Sequence, residues 1–424
     1  MSKFKFLRNN VFKNTVMLYI LNITKLVLPL VTLPYLTRVF SVDMYGVTTY
    51  VKSIMSYLQL VIDCGFILSA TKDIVRIGND KEKIGKITGD VILGKIILSV
   101  GSLIALVIMT FSIPILRENP FFTFLSFVPV FLTTFLLDFL FRGLEKMNII
   151  TYRYLIMKGI STVLTFVFVK NDSDILFIPL LDILGTVVAI FWINGTLKKM
   201  NIHLSHGSLK EILSNLKESF NYFISSVAST AFGALNTVIV GIFLSKSDVA
   251  YWSLVLQLVT AVQALYSPIL DGIYPQMVRS QKLKLIRTVL LIFTPIVILG
   301  CIFTGVVAPY VMLIIGGQKY VTQAGLLRLM IPVLFASFYS MLFGWPILGA
   351  IDKVKETTLT TIFASLVQII GLFLLIVVGE FNLISLAILR GLTEFVLMLH
   401  RIVYCWKYRR EFEDYDSLIH SKRK

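Results

Sequence analysis

The sequence predicts an all-α integral membrane protein, with about twelve transmembrane helices in two parallel six-helix lobes around a central cavity. Composition is the first ground. The 424 residues are 56% hydrophobic and only 15% charged, with mean hydropathy +0.83, whereas soluble domains carry roughly 25% charged residues. Length is the second. Apolar runs of about 20 residues recur from end to end, each able to cross a hydrocarbon core of ~30 Å as a helix. Alternating ten-residue segments, the mark of an outer-membrane barrel, are absent. The third is an echo between the two halves of the chain, at a period of six helices.

The spans read as roughly 11–35, 45–70, 90–115, 121–141, 150–169, 175–195, 218–244, 249–274, 287–314, 326–349, 357–379 and 383–406. Residues 1–196 then form an N-terminal six-helix lobe and 218–406 a C-terminal one. Residues 197–217 are a cytoplasmic linker with room for a short surface helix, and 407–424 a basic cytoplasmic tail. The basic residues at the N-terminus precede an apolar stretch too long for a signal peptide and without a small-residue cleavage pattern, so that stretch is the first span.

The formal net charge is +16, and its distribution explains it. One set of alternate loops holds most of the cations, among them Lys3, Lys5, Arg8, Lys72, Arg76, Lys81, Lys198, Lys199, Arg279, Lys282, Lys353 and the tail. The other set holds Arg38, Arg117, Lys170, Lys246 and Lys319, about one each. This is the positive-inside bias, which puts both termini in the cytoplasm. The charge is therefore a topology signal, and no nucleic-acid partner is implied. Cys64, Cys301 and Cys405 are odd in number, lie in or at the ends of spans, and read as packing residues. His203 and His206, three apart in a basic loop, read as a surface pair, so no metal site is implied.

Within this apolar background, polar residues fall at helical spacings. In span 1, Asn22, Lys25, Pro29 and Thr32 share one face, and Pro29 should bend the helix. In span 2, Lys52, Ser56, Gln59 and Asp63 line one side. A charge at bilayer depth costs from ~2.5 to more than ~10 kcal/mol, so such residues face a cavity or a partner. Two consecutive stripes suggest one water-filled interior. The alternative is an interhelical ion pair among Lys25, Lys52 and Asp63. Arg38 marks the outer mouth.

Span 3 opens with Gly89-Asp90-Val91-Ile92-Leu93-Gly94-Lys95-Ile96. This superficially matches a phosphate-binding loop, but Ile96 stands where Ser or Thr is required and no strand precedes it. Lys95 is expected to snorkel to the interface. Asp138 and Arg142, at the end of span 4, are four apart and able to pair on one helix face, as are Arg390 and Glu394 in span 12. Arg153 and Lys158 fall near the inner face, and Asp182 a few residues inside the outer end of span 6. Asp271 reads either as a coupling carboxylate or as a helix-end cap.

The halves echo each other about two hundred residues apart. Val128-Pro129-Val130 is answered by Ile331-Pro332-Val333. Gly143-Leu144-Glu145-Lys146 is answered by Gly349-Ala350-Ile351-Asp352-Lys353. Asp63-Cys64-Gly65-Phe66 is answered by Asp271-Gly272-Ile273-Tyr274, and Ser41-Val42-Asp43-Met44-Tyr45 by Ser247-Asp248-Val249-Ala250-Tyr251. A six-helix period gives both halves the same orientation, the parallel-repeat plan of a two-lobed transporter. The first half supplies Lys25, Lys52 and Lys95; the second has mainly Asn236, Gln257, Gln263, Asp271 and Arg390. One cationic wall and one polar wall suit an anionic headgroup joined to a neutral, hydroxyl-rich body.

Leu33-Pro34-Tyr35-Leu36-Thr37-Arg38-Val39-Phe40, then Tyr45-Gly46, then Asp63-Cys64-Gly65-Phe66-Ile67-Leu68-Ser69-Ala70-Thr71-Lys72 resemble the opening of the Wzx-type oligosaccharide (O-antigen) flippases. Phe141-Arg142-Gly143-Leu144-Glu145-Lys146-Met147 resembles that family's motif after span 4, with Cys64 where an aromatic is common and Arg142 where Gln is usual. The resemblance is specific over roughly the first 160 residues. It implies a transporter of the multidrug/oligosaccharidyl-lipid/polysaccharide exporter superfamily in the bacterial inner membrane. The implied substrate is an undecaprenyl-pyrophosphate-linked repeat unit, moved from the cytoplasmic to the periplasmic leaflet for O-antigen lipopolysaccharide or other surface polysaccharide. On that reading Lys25, Lys52, Arg38, Asn22, Gln59 and Arg390 bind substrate, and Asp63, Asp138, Arg142, Asp271 and Glu394 couple or gate. The implied partners are the lipid-linked oligosaccharide, membrane lipids, and the polysaccharide polymerase and chain-length regulator.

No nucleotide-binding motif is present, so ATP use, a bound cofactor and enzyme chemistry are not expected; a proton or ion gradient is the open energy source. An ion-coupled small-molecule antiporter of the same superfamily exporting cationic drugs would want an acidic cavity. A polytopic polymerase or ligase would want a sizeable outer loop, and none exceeds about ten residues. A scaffold without transport would not need two buried polar stripes.

Overall fold

The structure, a computed structural model, describes residues 2–412, and side chains within 13–220, 223 and 235–412. The side chains of Lys3, Lys5 and Arg8, and the tail from 413 on, lie outside the described residues. Among the described residues there is no strand. The chain divides into two compact units, Met1–Ala250 and Tyr251–Lys424. Ten helical stretches among the described residues are long and apolar enough to cross a membrane. The two remaining expected spans, 150–169 and 218–244, are the helices α8 and α10 below.

In the first unit α1 (Ser2–Val39) and α2 (Val42–Asp63) are joined by a two-residue turn. Ser41 caps α2, its hydroxyl accepting from the Met44 N–H at 3.2 Å, with Asp43 in the first turn where the helix dipole favours an anion. The expected span 45–70 is not one helix. Cys64 (φ 39°) and Gly65 (φ 75°) are both left-handed, so α2 stops and α3 (Phe66–Ile77) sets off afresh. Asp80 caps α4 (Lys81–Ser112), which begins nine residues before the expected Asp90. A short α5 (Pro114–Arg117) leads to α6 (Pro120–Leu132). The expected span 121–141 is broken too: α6 gives way to a 3₁₀ turn at Thr133–Phe135, Leu137 takes φ 55°, and α7 (Asp138–Gly143) follows.

Past Lys146 the chain doubles back as α8 (Met147–Phe168), α9 (Phe177–Met200) and α10 (Leu209–Phe243). Helices in lipid gain little from the hydrophobic effect and associate by close packing at small residues. Gly143 is such a residue: a Cβ there would stand 2.6 Å from Ile74 Cγ2, so α7 and α3 touch only because it is glycine. Around that contact Phe139, Leu140, Phe141, Ile150 and Ile193 form the core. Helix α10 packs on α2, α3 and α4. Next, α11 (Lys246–Ser280) starts in this unit, where Ser247 hydrogen-bonds Asp43 and Lys246 pairs with Glu118.

The second unit takes α11 from Tyr251 on, then α12 (Leu283–Gly316), α13 (Ala324–Leu329) and α14 (Ile331–Leu342). The tenth expected span is broken as well, because α14 runs into a wide turn at Phe343–Leu348 in which Gly344 leaves helical geometry (φ −75°, ψ −114°). Two long helices, α15 (Val354–Val378) and α16 (Leu383–Lys407), close the unit around Phe338, Leu342, Ile347 and Leu348.

The internal echo has a backbone counterpart at one place. After α7, Glu145 is left-handed (φ 55°) and the Lys146 N–H returns to the Phe141 carbonyl at 2.8 Å. After the Phe343–Leu348 turn, Asp352 is left-handed (φ 61°) and the Lys353 N–H returns to the Leu348 carbonyl, also at 2.8 Å. Elsewhere the echo is corrected. Ser41 corresponds to Ser245, whose hydroxyl accepts from the Asp248 N–H at 3.1 Å, and not to Ser247. Asp63 precedes a helix break, but Asp271 does not, since α11 continues to Ser280. The helix-end-cap reading of Asp271 therefore fails.

Candidate functional site

A cavity of about 480 Å³ lies inside the first unit, walled by α2, α6, α8 and α9. Its size is that of a small-molecule site. The polar stripe of α2 delivers Lys52, Ser56 and Gln59 to it, α6 delivers Ser126, and α8 and α9 deliver Lys158 and Asp182. Pro129 stands in the wall and deprives α6 of one backbone donor near the cavity. The Lys158 ammonium donates to Asp182 Oδ1 at 2.8 Å, and the Ser161 hydroxyl donates to the same oxygen at 2.6 Å. Lys52 lies within the electrostatic reach of both, repelled by Lys158 and attracted by Asp182. Two ammoniums thus face one carboxylate. The cavity carries an excess positive charge on a compact, strongly hydrated type of cation that binds anions without a fixed fork.

From the wall, a chain of hydrogen bonds runs to α4. Thr133 donates to Gln59 Oε1 at 2.9 Å, and Gln59 Nε2 donates to Asp63 Oδ2 at 3.0 Å. Lys95 donates to Asp63 Oδ1 at 2.7 Å. The expectation that Lys95 snorkels to an interface is overturned: its side chain is 10% exposed, because α4 starts at Lys81 and Lys95 is already well inside the helix. Asp63 is therefore ion-paired, but to Lys95 and not to Lys25 or Lys52.

Lys25 is not among the residues lining the cavity. Its ammonium lies 5.6 Å from the Tyr154 ring centroid, in the field of Asp138, Arg142 and Arg153, a cation–π geometry worth roughly 0.5–2 kcal/mol. Asp138 does not pair with Arg142. It pairs with Arg153, whose Nη2 donates to Oδ2 at 2.9 Å and lies 2.8 Å from Oδ1, since the turn at Glu145 folds α8 back along α7. Arg142 is half-buried, with its Nε lacking a hydrogen-bond partner. Asn22 and Arg38 are exposed on α1, and Asp271 is exposed on α11.

In the second unit, Arg390 and Glu394 do pair, at 2.9 Å, with side chains 11% and 7% exposed. Ser340 donates to the other Glu394 oxygen at 2.7 Å. Arg401, which the sequence reading passed over, completes the cluster. Its guanidinium donates to the Ser340 carbonyl, to Thr360 Oγ1 at 3.2 Å and to Thr361 Oγ1 at 2.9 Å. The signal was present: Arg390, Glu394 and Arg401 recur at near-helical intervals in an apolar run. Lys158 and Asp182 were noted singly; what paired them was the antiparallel packing of α8 on α9, which no local pattern encodes.

The fold these helices build is a transporter fold. One similar solved structure is the lipid II flippase MurJ in an inward closed conformation, at 15% identity, TM-score 0.71, with 96% of this chain and 91% of that one covered. Another is an inward-facing multidrug resistance MATE family transporter of the MOP superfamily, at 15% identity, TM-score 0.62, covering 91% and 95%. The model of the polysaccharide biosynthesis protein family matches residues 11–281, and the chain belongs to that family. It is similar to a protein of Escherichia coli (strain K12) provisionally named an O-antigen transporter, 27% identical over 374 residues, 85% of this chain and 89% of that protein. A protein of Shigella dysenteriae with the same provisional name is 26% identical over 319 residues, 73% and 78% of the two chains. The protein is a membrane transporter and not an enzyme.

Proposed function

We propose that the protein is a flippase that moves an undecaprenyl-pyrophosphate-linked oligosaccharide repeat unit from the cytoplasmic to the periplasmic leaflet. It does so by alternating access, for O-antigen or another surface polysaccharide, with both termini cytoplasmic. The observation that carries this is the cationic cavity of the first unit, where Lys52 and Lys158 outnumber Asp182. A diphosphate entering between the two lysines relieves their mutual repulsion and replaces part of its own hydration. The sugars occupy polar space, and the prenyl chain stays in lipid. Lysine point contacts release more readily than bidentate arginine clamps, which suits a carrier that must let go. Lys25 and Arg38 then serve as outlying cations on α1.

Membrane lipids and the pathway's polymerase and chain-length regulator are the partners this role calls for. A proton or ion gradient through a carboxylate, or consumption of the product, supplies the drive. The related reading, a small-molecule antiporter for cationic drugs, fits poorly, because cations are repelled by this cavity.

The test is deletion of the gene followed by lipid analysis. Glycan-loaded undecaprenyl carriers should accumulate on the cytoplasmic side and surface polysaccharide should vanish. Wild type should restore it and Lys52→Ala should not, at equal membrane levels. Restoration by a double Lys52→Ala, Lys158→Ala variant would sink the pyrophosphate role.

A further inference from the structure

Gly89 and Asp90, the opening of the failed phosphate-loop match, have a different employment. Between α9 and α10 the chain runs as an irregular segment, 202–207, laid directly on α4. A Cβ on Gly85 would stand 1.9 Å from the His203 carbonyl oxygen, and one on Gly89 would stand 1.9 Å from the Ser205 carbonyl oxygen. The spacing fits: four residues of helix advance about 6 Å, close to the 6–7 Å that two extended residues cover. The two glycines therefore meet alternate carbonyls of the segment.

Three further contacts fix it. The Ser205 N–H points to the Gly85 carbonyl at 3.4 Å. The Gly207 N–H donates to Asp90 Oδ1 at 2.7 Å, and Asp90 is 4% exposed. Ile202 joins the buried cluster that contains Ile84 and Leu197. One residue later Ser208 caps α10, and Glu211 in its first turn pairs with Lys86 at 2.7 Å.

We propose that residues 202–207 are a strap that clips the start of α10 to α4 throughout the transport cycle, with Gly85, Gly89 and Asp90 as its positioning residues. The inference rests on the transporter reading above. Asp90 has a buried carboxylate that accepts from the Gly207 N–H, and a carboxylate so placed is held by this bond only while the strap is seated. At Gly85 and Gly89 the contact is backbone against backbone, which leaves no side-chain freedom there for a loose alternative. Helix α10 is thus carried with the first unit at this end, and any bending of it falls farther along.

Hydrogen exchange on the purified full-length protein in nanodiscs reads the strap without reference to transport. In Gly89→Ala and in Asp90→Ala the Gly207 amide should exchange at least about tenfold faster than in wild type, as for a locally opened segment. Asp90→Asn, which keeps an acceptor oxygen, should fall between. Unchanged exchange at Gly207 in all three variants overturns the strap.

The second arm pins the same place. Lys86→Cys with Glu211→Cys, in a background with Cys64, Cys301 and Cys405 replaced by alanine, is joined by a short bis-maleimide. The joined protein should still restore surface polysaccharide in the deletion strain. Loss of transport on joining overturns the proposal, because the start of α10 would then have to leave α4. Failure of the wild-type chain to restore polysaccharide counts against the flippase reading instead, and the exchange measurement still decides the strap.

Discussion

The Lys95 ammonium and the Asp63 carboxylate, 32 residues apart in sequence, meet at 2.7 Å between α4 and α2. The pair sits behind the cavity wall and holds Gln59 in place through the second carboxylate oxygen. Removing one partner of a buried pair leaves an uncompensated charge at a cost of roughly 3–5 kcal/mol. The Asp63 side chain is 40% exposed, so solvent screening brings the expected loss to about 1–2 kcal/mol. Lys95→Met should lower the unfolding midpoint in detergent by that equivalent, and Asp63→Asn added to it should recover most of the loss. A double variant as unstable as the sum of the singles would show that the two residues do not act as a pair.

In the cavity, Asp182 is the internal competitor of any entering anion, since it already occupies Lys158. Asp182→Asn removes it and raises the local charge by one. With an effective dielectric near 20 and a separation of about 4–8 Å, the gain is roughly 2–4 kcal/mol, or at least about thirtyfold in affinity. Calorimetry with inorganic pyrophosphate on the purified protein should show tighter binding, while surface polysaccharide in cells falls because release slows. Weaker pyrophosphate binding in Asp182→Asn would mean the carboxylate orders the site and does not compete.

Arg142 and Arg153 invite opposite expectations. Arg153 is 3% exposed and neutralises Asp138; Arg142 makes no ion pair among the described residues. Arg142→Gln should therefore leave membrane level and thermal midpoint within about 0.5 kcal/mol of wild type, as for a substitution away from a buried network. Arg153→Gln should strand the Asp138 carboxylate and sharply reduce folded protein, read by size-exclusion profile and membrane immunoblot. The reverse order would return the pairing to Arg142.

Much of this architecture was legible from residue order. Apolar run length located the helices, and the stripe Lys52, Ser56, Gln59, Asp63 correctly predicted one polar face of α2. The caps of α2 and α4 follow from Ser41 and Asp80. What was not legible has one physical cause: the partner of a charge inside a membrane protein is set by which helices pack, not by spacing along one helix. Asp138 could reach Arg142 four residues on, yet takes Arg153 from the returning helix. Lys158 and Asp182 were each visible and meaningless apart. The breaks at Cys64 and Leu137 were also hidden, because left-handed backbone at a non-glycine residue carries no reliable sequence mark. Gly89 opens a stretch that only superficially matches a phosphate-binding loop; its lack of a side chain, like that of Gly85, serves a strap of the chain itself.

The break in the second unit makes the last expectation. Where α14 opens at Gly344, the Ser340 carbonyl is taken by Arg401, which also reaches Thr360 and Thr361 on α15. A planar fork can serve three acceptors at once; an ammonium of lysine reach cannot match that geometry. Arg401→Lys keeps the charge but abandons at least one acceptor, at about 1–3 kcal/mol for a buried group left unsatisfied. Gly344→Ala approaches the same point from the other side, since its Cβ would stand 2.6 Å from the Arg401 Nη1. Both variants should lower the thermal midpoint in detergent, and the double variant should lose less than the sum, because each disturbs the same contact. Strict additivity would show that Arg401 and the Gly344 break are independent features, and that the open turn of α14 is held by something other than this guanidinium.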